Sequence, residues 1–153
     1  MNTLTLQITE PKNKDLLDLI AKLDDYLYSI YPAEEVFVVD LDEPKVQDIV
    51  FVVAYLDGKA AGCGAYRPLD SHSAELKRIF VDPAYRNRGI ASRVMTFLEQ
   101  DAKQAGFTAM LLETGPMQQE SIELYKKFGY ELIDRFGEYI DCPSSICMRK
   151  HLV

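Results

Sequence analysis

The chain reads as an α/β protein built on one mixed sheet, and three observations carry that prediction. Short apolar, β-prone runs alternate with three stretches of helical character in the order β-α-β-β-β-α-β-α-β-β. Asp57-Gly58 joins two of the runs, a two-residue hairpin signal that makes this part of the sheet antiparallel. A strand-helix-strand passage from residue 74 to residue 114 then calls for a parallel pair through a right-handed crossover.

The first strand is expected over Leu4 to Thr9. Leu16, Ile20, Leu23, Leu27 and Ile30 recur at helical spacing and mark an amphipathic helix that Pro32 ends. Residues 32 to 48, with Pro32, Pro44 and several acids, read as a loop containing a short helical turn. Val50 to Leu56 and Lys59 to Pro68 are the hairpin strands, and a turn at Asp70-Ser71-His72 leads to a third antiparallel strand, Ala74 to Val81. The next helix carries Ile90, Val94, Phe97, Leu98, Ala102 and Ala105 on one face and stops at Gly106, a suitable C-cap. Ala109 to Thr114 follows as a strand, then a helix over about Met117 to Phe128 that Gly129 closes. Tyr130 to Ile133 and Ile146 to His151 form a last antiparallel pair, joined by a long irregular segment.

At 153 residues, with 48% hydrophobic and 27% charged residues, the chain suits one domain over residues 1–153. No apolar run approaches the roughly 20 residues needed to span a bilayer, and Met1 to Leu6 lacks the features of a signal peptide. A cytoplasmic protein that does not engage membranes is expected. Three cysteines without Cys-x-x-Cys spacing, and two histidines without a paired motif, argue against a disulfide framework and against a metal site. Cys63, in an apolar strand, reads as a small core residue. A net charge of -7 argues against nucleic acid and fits a cationic amine substrate, though solubility alone accounts for many acidic proteins.

Against that acidic background, one segment is basic. Between residues 77 and 93, Lys77, Arg78, Arg86, Arg88 and Arg93 stand against a single anion, Asp82. Here Arg86-Asn87-Arg88-Gly89-Ile90-Ala91 links a strand ending at Val81 to a helix. A helix start has free N–H groups and the positive end of the macrodipole, so such a loop can hold a phosphate. Gly89 allows close backbone approach and Ala91 adds little bulk. Neither a Walker loop nor a dinucleotide fingerprint fits, because Gly89 is the only glycine of the segment. An ordinary connecting loop with solvated arginines is the alternative that six residues leave open.

The hexapeptide matches Arg/Gln-x-x-Gly-x-Gly/Ala and, with Ile79-Phe80-Val81-Asp82-Pro83 before it, resembles the acetyl-CoA signature of the GNAT superfamily of N-acetyltransferases. The element order is also that superfamily's succession, apart from a second N-terminal helix. The resemblance implies that the strands at 74–81 and 109–114 splay apart, and that Ile79, Phe80 and Val81 offer backbone groups to the pantetheine arm. It implies further that Arg86, Asn87, Arg88, Gly89, Ile90 and Ala91, with Ser92, hold the pyrophosphate. Ser121 to Tyr130 resembles the superfamily's Ala-x-x-Leu-Tyr-x-x-x-Gly-Phe element, with Gln118 where Asn is common and Ser121 where Ala is common. Ala61 to Ala65, Leu112-Glu113-Thr114-Gly115 and a tail containing Phe136, Tyr139, Pro143 and Ser145 resemble a bacterial subgroup of small acetyltransferases.

Acetyl transfer to an amine needs a neutral nucleophile, a partner for the oxyanion and a proton for the departing thiolate. By the resemblance, Tyr125 is the general acid near the CoA sulfur; the alternative is a packed aromatic with a satisfied hydroxyl. The resemblance also makes Glu75 the candidate base, because it stands six residues before Val81, the spacing at which several superfamily members carry a catalytic glutamate; alternation would put it on one face with Lys77, Ile79 and Val81. It can equally be a solvent-facing partner of Lys77. The oxyanion is expected to meet a backbone N–H near Val81. Glu113 can bind a cationic acceptor or mark a strand exit, and Tyr139 and Ser145 can line the acceptor pocket or cap the sheet, as can Tyr28 and Tyr31 in the first helix. Lys126 and Lys127 are within reach of a 3′-phosphate or simply solvated.

The expected function is acetyl-CoA-dependent N-acetylation of a primary amine, of a small molecule, by direct attack in a ternary complex with Cys63 a bystander. A non-catalytic acetyl-CoA sensor and an acetyltransferase acting on a protein amine are the alternatives. The expected assembly is a monomer or a homodimer.

Overall fold

The computed structural model describes residues 3–37 and 43–152, so residues 38–42 of the expected loop lie outside the described residues. Its elements are β1 (Leu4–Thr9), α1 (Lys14–Ile30), β2 (Val50–Leu56), β3 (Lys59–Pro68), β4 (Ser73–Val81), α2 (Ile90–Gln104), β5 (Ala109–Thr114), α3 (Gln119–Lys127), β6 (Glu131–Ile133) and β7 (Ile146–His151). The predicted succession is present, with bounds displaced by one or two residues. Strand β4 begins early because Asp70 Oδ1 accepts the N–H groups of His72 and Ser73, both at 2.7 Å, which closes the turn tightly. Asp57 and Gly58 both have positive φ, 52° and 82°, the type I′ geometry that matches strand twist. Helix α1 starts at a signal not read above: the Asn13 side chain accepts the Leu16 N–H at 3.1 Å. Short 3-10 turns at Ala33–Glu35 and Pro44–Asp48 occupy the described parts of the expected loop.

The sheet order is β1-β2-β3-β4-β5-β7-β6, with β4 and β5 parallel and every other neighbouring pair antiparallel. Alternation along the strands divides the apolar side chains between two faces. On one, Val94, Met95 and Leu98 of α2 pack on Val52, Leu76, Met110, Leu112 and Met148. On the other, Leu16, Leu19 and Leu23 of α1 pack on Phe51, Val53, Cys63 and Phe80. Each fully buried leucine is worth about 1.5–3 kcal/mol of transfer free energy. Helix α2 lies so close to β3 that a Cβ at Gly64 would stand 2.7 Å from both Ile79 Cδ1 and Val94 Cγ1. Gly64→Ala should therefore overpack the core and cost about 1–3 kcal/mol, measured by urea denaturation.

Strand β4 departs from the alternation that the sequence predicts. Its register with β3 pairs Phe80 with Cys63 but Lys77 with Ala65, so three steps on β4 oppose two on β3. The extra residue is Arg78, whose φ of 60° marks the bulge. Glu75 and Lys77 consequently lie on the α1 side, whereas Ile79 and Val81 join the cluster beneath α2. The expectation that all four share a face is corrected here: the bulge restarts the alternation. Parallel pairing of β4 with β5 covers Ser73 to Glu75 against Ala109 to Leu111 and then stops. Beyond that point the strands part, giving the opening that the resemblance implied.

Candidate active site

The loop after β4 runs into α2 through two residues of positive φ, Asn87 (64°) and Gly89 (74°). Gly89 is the N-cap and supplies no side chain to the free amides. The Arg93 N–H bonds the Gly89 carbonyl at 3.2 Å, so the N–H groups of Ile90, Ala91 and Ser92 precede the first intrahelical bond. They face a cleft of about 510 Å³. Ile79, Phe80 and Val81 of β4 line it, as do Arg86, Asn87, Gly89, Ile90, Ala91 and Ser92; Arg88 does not. Leu23 and Tyr26 of α1 and Gln118, Ser121, Leu124 and Tyr125 around α3 complete its walls. Free amides at the positive end of a helix, with Arg86 beside them, suit a phosphate chain.

A smaller cavity, about 90 Å³, lies on the α1 side of the opening between β4 and β5. Glu75, Lys77 and Arg78 reach it from β4, Glu113 from β5, Leu27 from α1 and Tyr31 from the residue that caps α1, with Tyr139 also in the lining. The Glu75 carboxylate is held at both ends. Arg67 Nε donates to Oε1 at 2.9 Å and the Tyr139 hydroxyl donates to Oε2 at 2.5 Å. Lys77 Nζ donates to the Tyr139 hydroxyl at 3.2 Å and stands 4.0 Å from Glu75. Tyr139 is wedged edge-on against Phe37 and Phe136, with ring centroids 4.8 and 5.3 Å away. Burial first, then the Glu75 charge, pushes its phenol far above the ordinary tyrosine range. Burial also lowers the Lys77 ammonium, against the opposing pull of Glu75.

Glu113 is less fully engaged. Ser145 donates to its Oε2 at 2.7 Å, and burial raises its pKa above the usual carboxylate value despite that bond. Tyr125 lines both cavities, is 8% exposed, and its hydroxyl forms no hydrogen bond among the described residues. Burial raises its pKa, and the nearby Glu113 carboxylate adds to the effect. Gln118 holds the β5–α3 corner, its Oε1 accepting from Thr114 Oγ1 at 3.3 Å and from the Gly115 N–H at 3.2 Å. The Tyr31 hydroxyl accepts the Met117 N–H at 3.0 Å, and a Cβ at Gly115 would sit 2.1 Å from that oxygen. Gly115→Ala should expel Tyr31 from the cavity wall. The expected loss is roughly 10- to 100-fold in kcat/KM for the acceptor, with acetyl-CoA affinity retained, as steady-state kinetics and calorimetry would show.

Residues 14–130 match the model of the Acetyltransferase (GNAT) family. The chain belongs to the GNAT acetyltransferase family. It is 38% identical over 154 residues to the IAA acetyltransferase of Azospirillum brasilense, covering 99% of this chain and 100% of that one. An acyl-CoA N-acyltransferase structure from Klebsiella pneumoniae superposes with a TM-score of 0.87 at 28% identity, covering 99% of each chain. A GNAT family acetyltransferase from Elizabethkingia anophelis, solved with acetyl-CoA bound, shares the fold with a TM-score of 0.72 at 20% identity, over 97% of this chain and 98% of that one. This GNAT protein is an N-acetyltransferase. Among its described residues no helix is long and apolar enough to cross a membrane.

Of the residues named from sequence, the GNAT fold brings Glu75, Glu113, Tyr125 and Tyr139 around one small cavity. Ser145 stands behind it, bonded to Glu113, while its neighbour Ser144 lines the wall and bonds Glu35 at 2.8 Å. Tyr31 contributes and Tyr28 is exposed. Arg67 was missed, although it is the cross-strand partner of Glu75 and the Asp70 turn fixes that register.

Proposed function

We propose that this GNAT enzyme transfers the acetyl group of acetyl-CoA to the primary amine of a small molecule by direct attack in a ternary complex. One observation carries the reading: the phosphate-suited cleft and the small charged cavity meet at Tyr125, whose hydroxyl forms no hydrogen bond among the described residues. In this reading the first turn of α2 and Arg86 hold the pyrophosphate of the donor, β4 offers its backbone to the pantetheine arm, and the acceptor sits beside Glu113. A cavity of about 90 Å³ suits the head group of a small molecule.

Glu113 is the favoured proton acceptor. Glu75 already accepts hydrogen bonds on both oxygens, from Arg67 Nε and from the Tyr139 hydroxyl. Its role here is to fix Tyr139 and Lys77. Glu113 keeps capacity for another bond, and its raised pKa improves a base. As the amine nitrogen bonds the acetyl carbon, its proton passes to Glu113, a backbone N–H near Val81 meets the oxyanion, and Tyr125 gives its proton to the leaving sulfur. Cys63 takes no part, because burial pushes its thiol up to about 12 and seals it in the core.

The test is thiol release from acetyl-CoA by the purified protein against a panel of small amines and peptides, with product mass as a check. Release dependent on a small amine supports the proposal. Release with peptides alone replaces the acceptor class, and acetyl-CoA binding without release for any acceptor points to a sensor.

A further inference from the structure

We infer that the acceptor is an amino acid or a close relative, carrying a carboxylate a few atoms from its amine, and that Lys77 and Arg78 receive that carboxylate. The inference rests on the N-acetyltransferase reading above and narrows its substrate. It starts from two buried cations that keep unused donors among the described residues. The Arg78 side chain is 3% exposed and lines the small cavity. Its Nη1 pairs with Asp24 at 2.6 Å, but its Nε is buried without a hydrogen-bond partner among the described residues. A buried N–H left unpaired is costly, so its presence beside a cavity points to a ligand acceptor atom.

Lys77 makes the same point from the neighbouring position. Its side chain is 7% exposed, and its ammonium group, with three donors, makes one hydrogen bond among the described residues, to the Tyr139 hydroxyl. The carboxylates around it are at 4.0 Å (Glu75) and 3.8 Å (Glu138), beyond hydrogen-bond distance. Glu75 is committed to Arg67 and Tyr139, Glu138 also pairs with Arg67 at 2.9 Å, and Asp24 is committed to Arg78. An incoming carboxylate would supply acceptors to both cations at once, by charge-assisted bonds.

The opposite charge is provided for as well. Glu113 faces the same cavity with its Oε2 held by Ser145, and it suits the amine end. A compound with an amine and a carboxylate a few atoms apart satisfies both ends of a cavity of about 90 Å³. A diamine of similar length would instead place its second ammonium against Lys77 and Arg78, where weak screening makes like charges repel strongly.

The experiment compares acceptors that differ only in the carboxylate: glycine with methylamine, L-alanine with ethylamine, L-phenylalanine with 2-phenylethylamine. Each is assayed by thiol release with wild-type protein and with Lys77→Met. The inference expects kcat/KM at least about tenfold to 100-fold higher for the carboxylate member of a pair, expressed mainly in KM. In Lys77→Met that ratio should shrink to a few-fold. A wild-type ratio near one, or a preference for the carboxylate-free amines, overturns the inference and leaves the N-acetyltransferase reading intact. Bound acetyl-CoA with no transfer to either member of any pair, but with transfer to a peptide, overturns both the small-molecule reading and the inference. Should Lys77→Met fail to fold, as a thermal melt would reveal, the wild-type ratios decide alone.

Discussion

Tyr125→Phe should lower kcat by roughly 100- to 1,000-fold while leaving acetyl-CoA affinity close to that of the wild type. The tyrosine lies at the junction of the two cavities, and its hydroxyl forms no hydrogen bond among the described residues, so the group is free to act on a leaving sulfur. Burial, and then the Glu113 charge, raises its pKa above the ordinary tyrosine value, so the phenol stays protonated throughout the usual assay range. Any alkaline fall in kcat that arises from Tyr125 must therefore lie above the normal tyrosine range, and the Phe variant should lack it. Stability provides the control. With no hydrogen bond to lose and the edge-on contact with Tyr130 preserved at a centroid distance of 6.1 Å, unfolding free energy should change by no more than about 0.5 kcal/mol. A variant that keeps kcat within threefold would show that the proton reaches the sulfur by another route.

The cleft proposed for the donor was legible in the sequence because it is local. Residues 79 to 92 form one continuous side of its wall, and the requirement for free amides at a helix start is met by Gly89, which has the positive φ that glycine tolerates. The cavity proposed for the acceptor was harder to read, since Tyr31, Glu75, Glu113 and Tyr139 come from four distant parts of the chain. Each could be named as a candidate, but the bond from Tyr139 to Glu75 spans 64 residues and has no local signature. The bulge is a similar case. Arginine at a φ of 60° is not a residue that announces a bulge, so alternation was carried through Arg78 and assigned Ile79 and Val81 to the wrong face. Lys77 was the partner considered for Glu75; the shorter contact comes instead from Arg67 across the strand pair, at 2.9 Å against 4.0 Å. Gln118 looked like a departure from the superfamily pattern, and its side-chain oxygen in fact holds the β5–α3 corner through Thr114 and Gly115.

Glu113→Gln should abolish most activity and at the same time raise stability at neutral pH. The activity loss follows from the base role: a glutamine cannot take the amine proton, and roughly 100-fold or more should disappear from kcat. Wild-type kcat/KM should fall as pH drops through the Glu113 pKa, which burial has raised above the ordinary carboxylate value, and that acidic limb should vanish from the variant's residual rate. The stability gain has the opposite pH logic. A carboxyl group whose folded-state pKa exceeds its unfolded value is one whose charged form the fold disfavours. Its cost is absent below the unfolded pKa, grows as pH rises toward the folded pKa, and is fully present above it. Glutamine removes that cost and still offers an oxygen to the Ser145 hydroxyl, which bonds Glu113 at 2.7 Å. Thermal melts should therefore show the variant above the wild type at pH 7, with the gap closing as the buffer is taken down into the ordinary carboxylate range. A variant that lost activity without gaining stability at neutral pH would mean that Glu113 is better solvated than its surroundings imply, and a variant that kept its activity would return the base role to Glu75 or to a water between them. The two readouts separate these cases because one depends on the proton that Glu113 accepts and the other on the charge it must hold in a buried site.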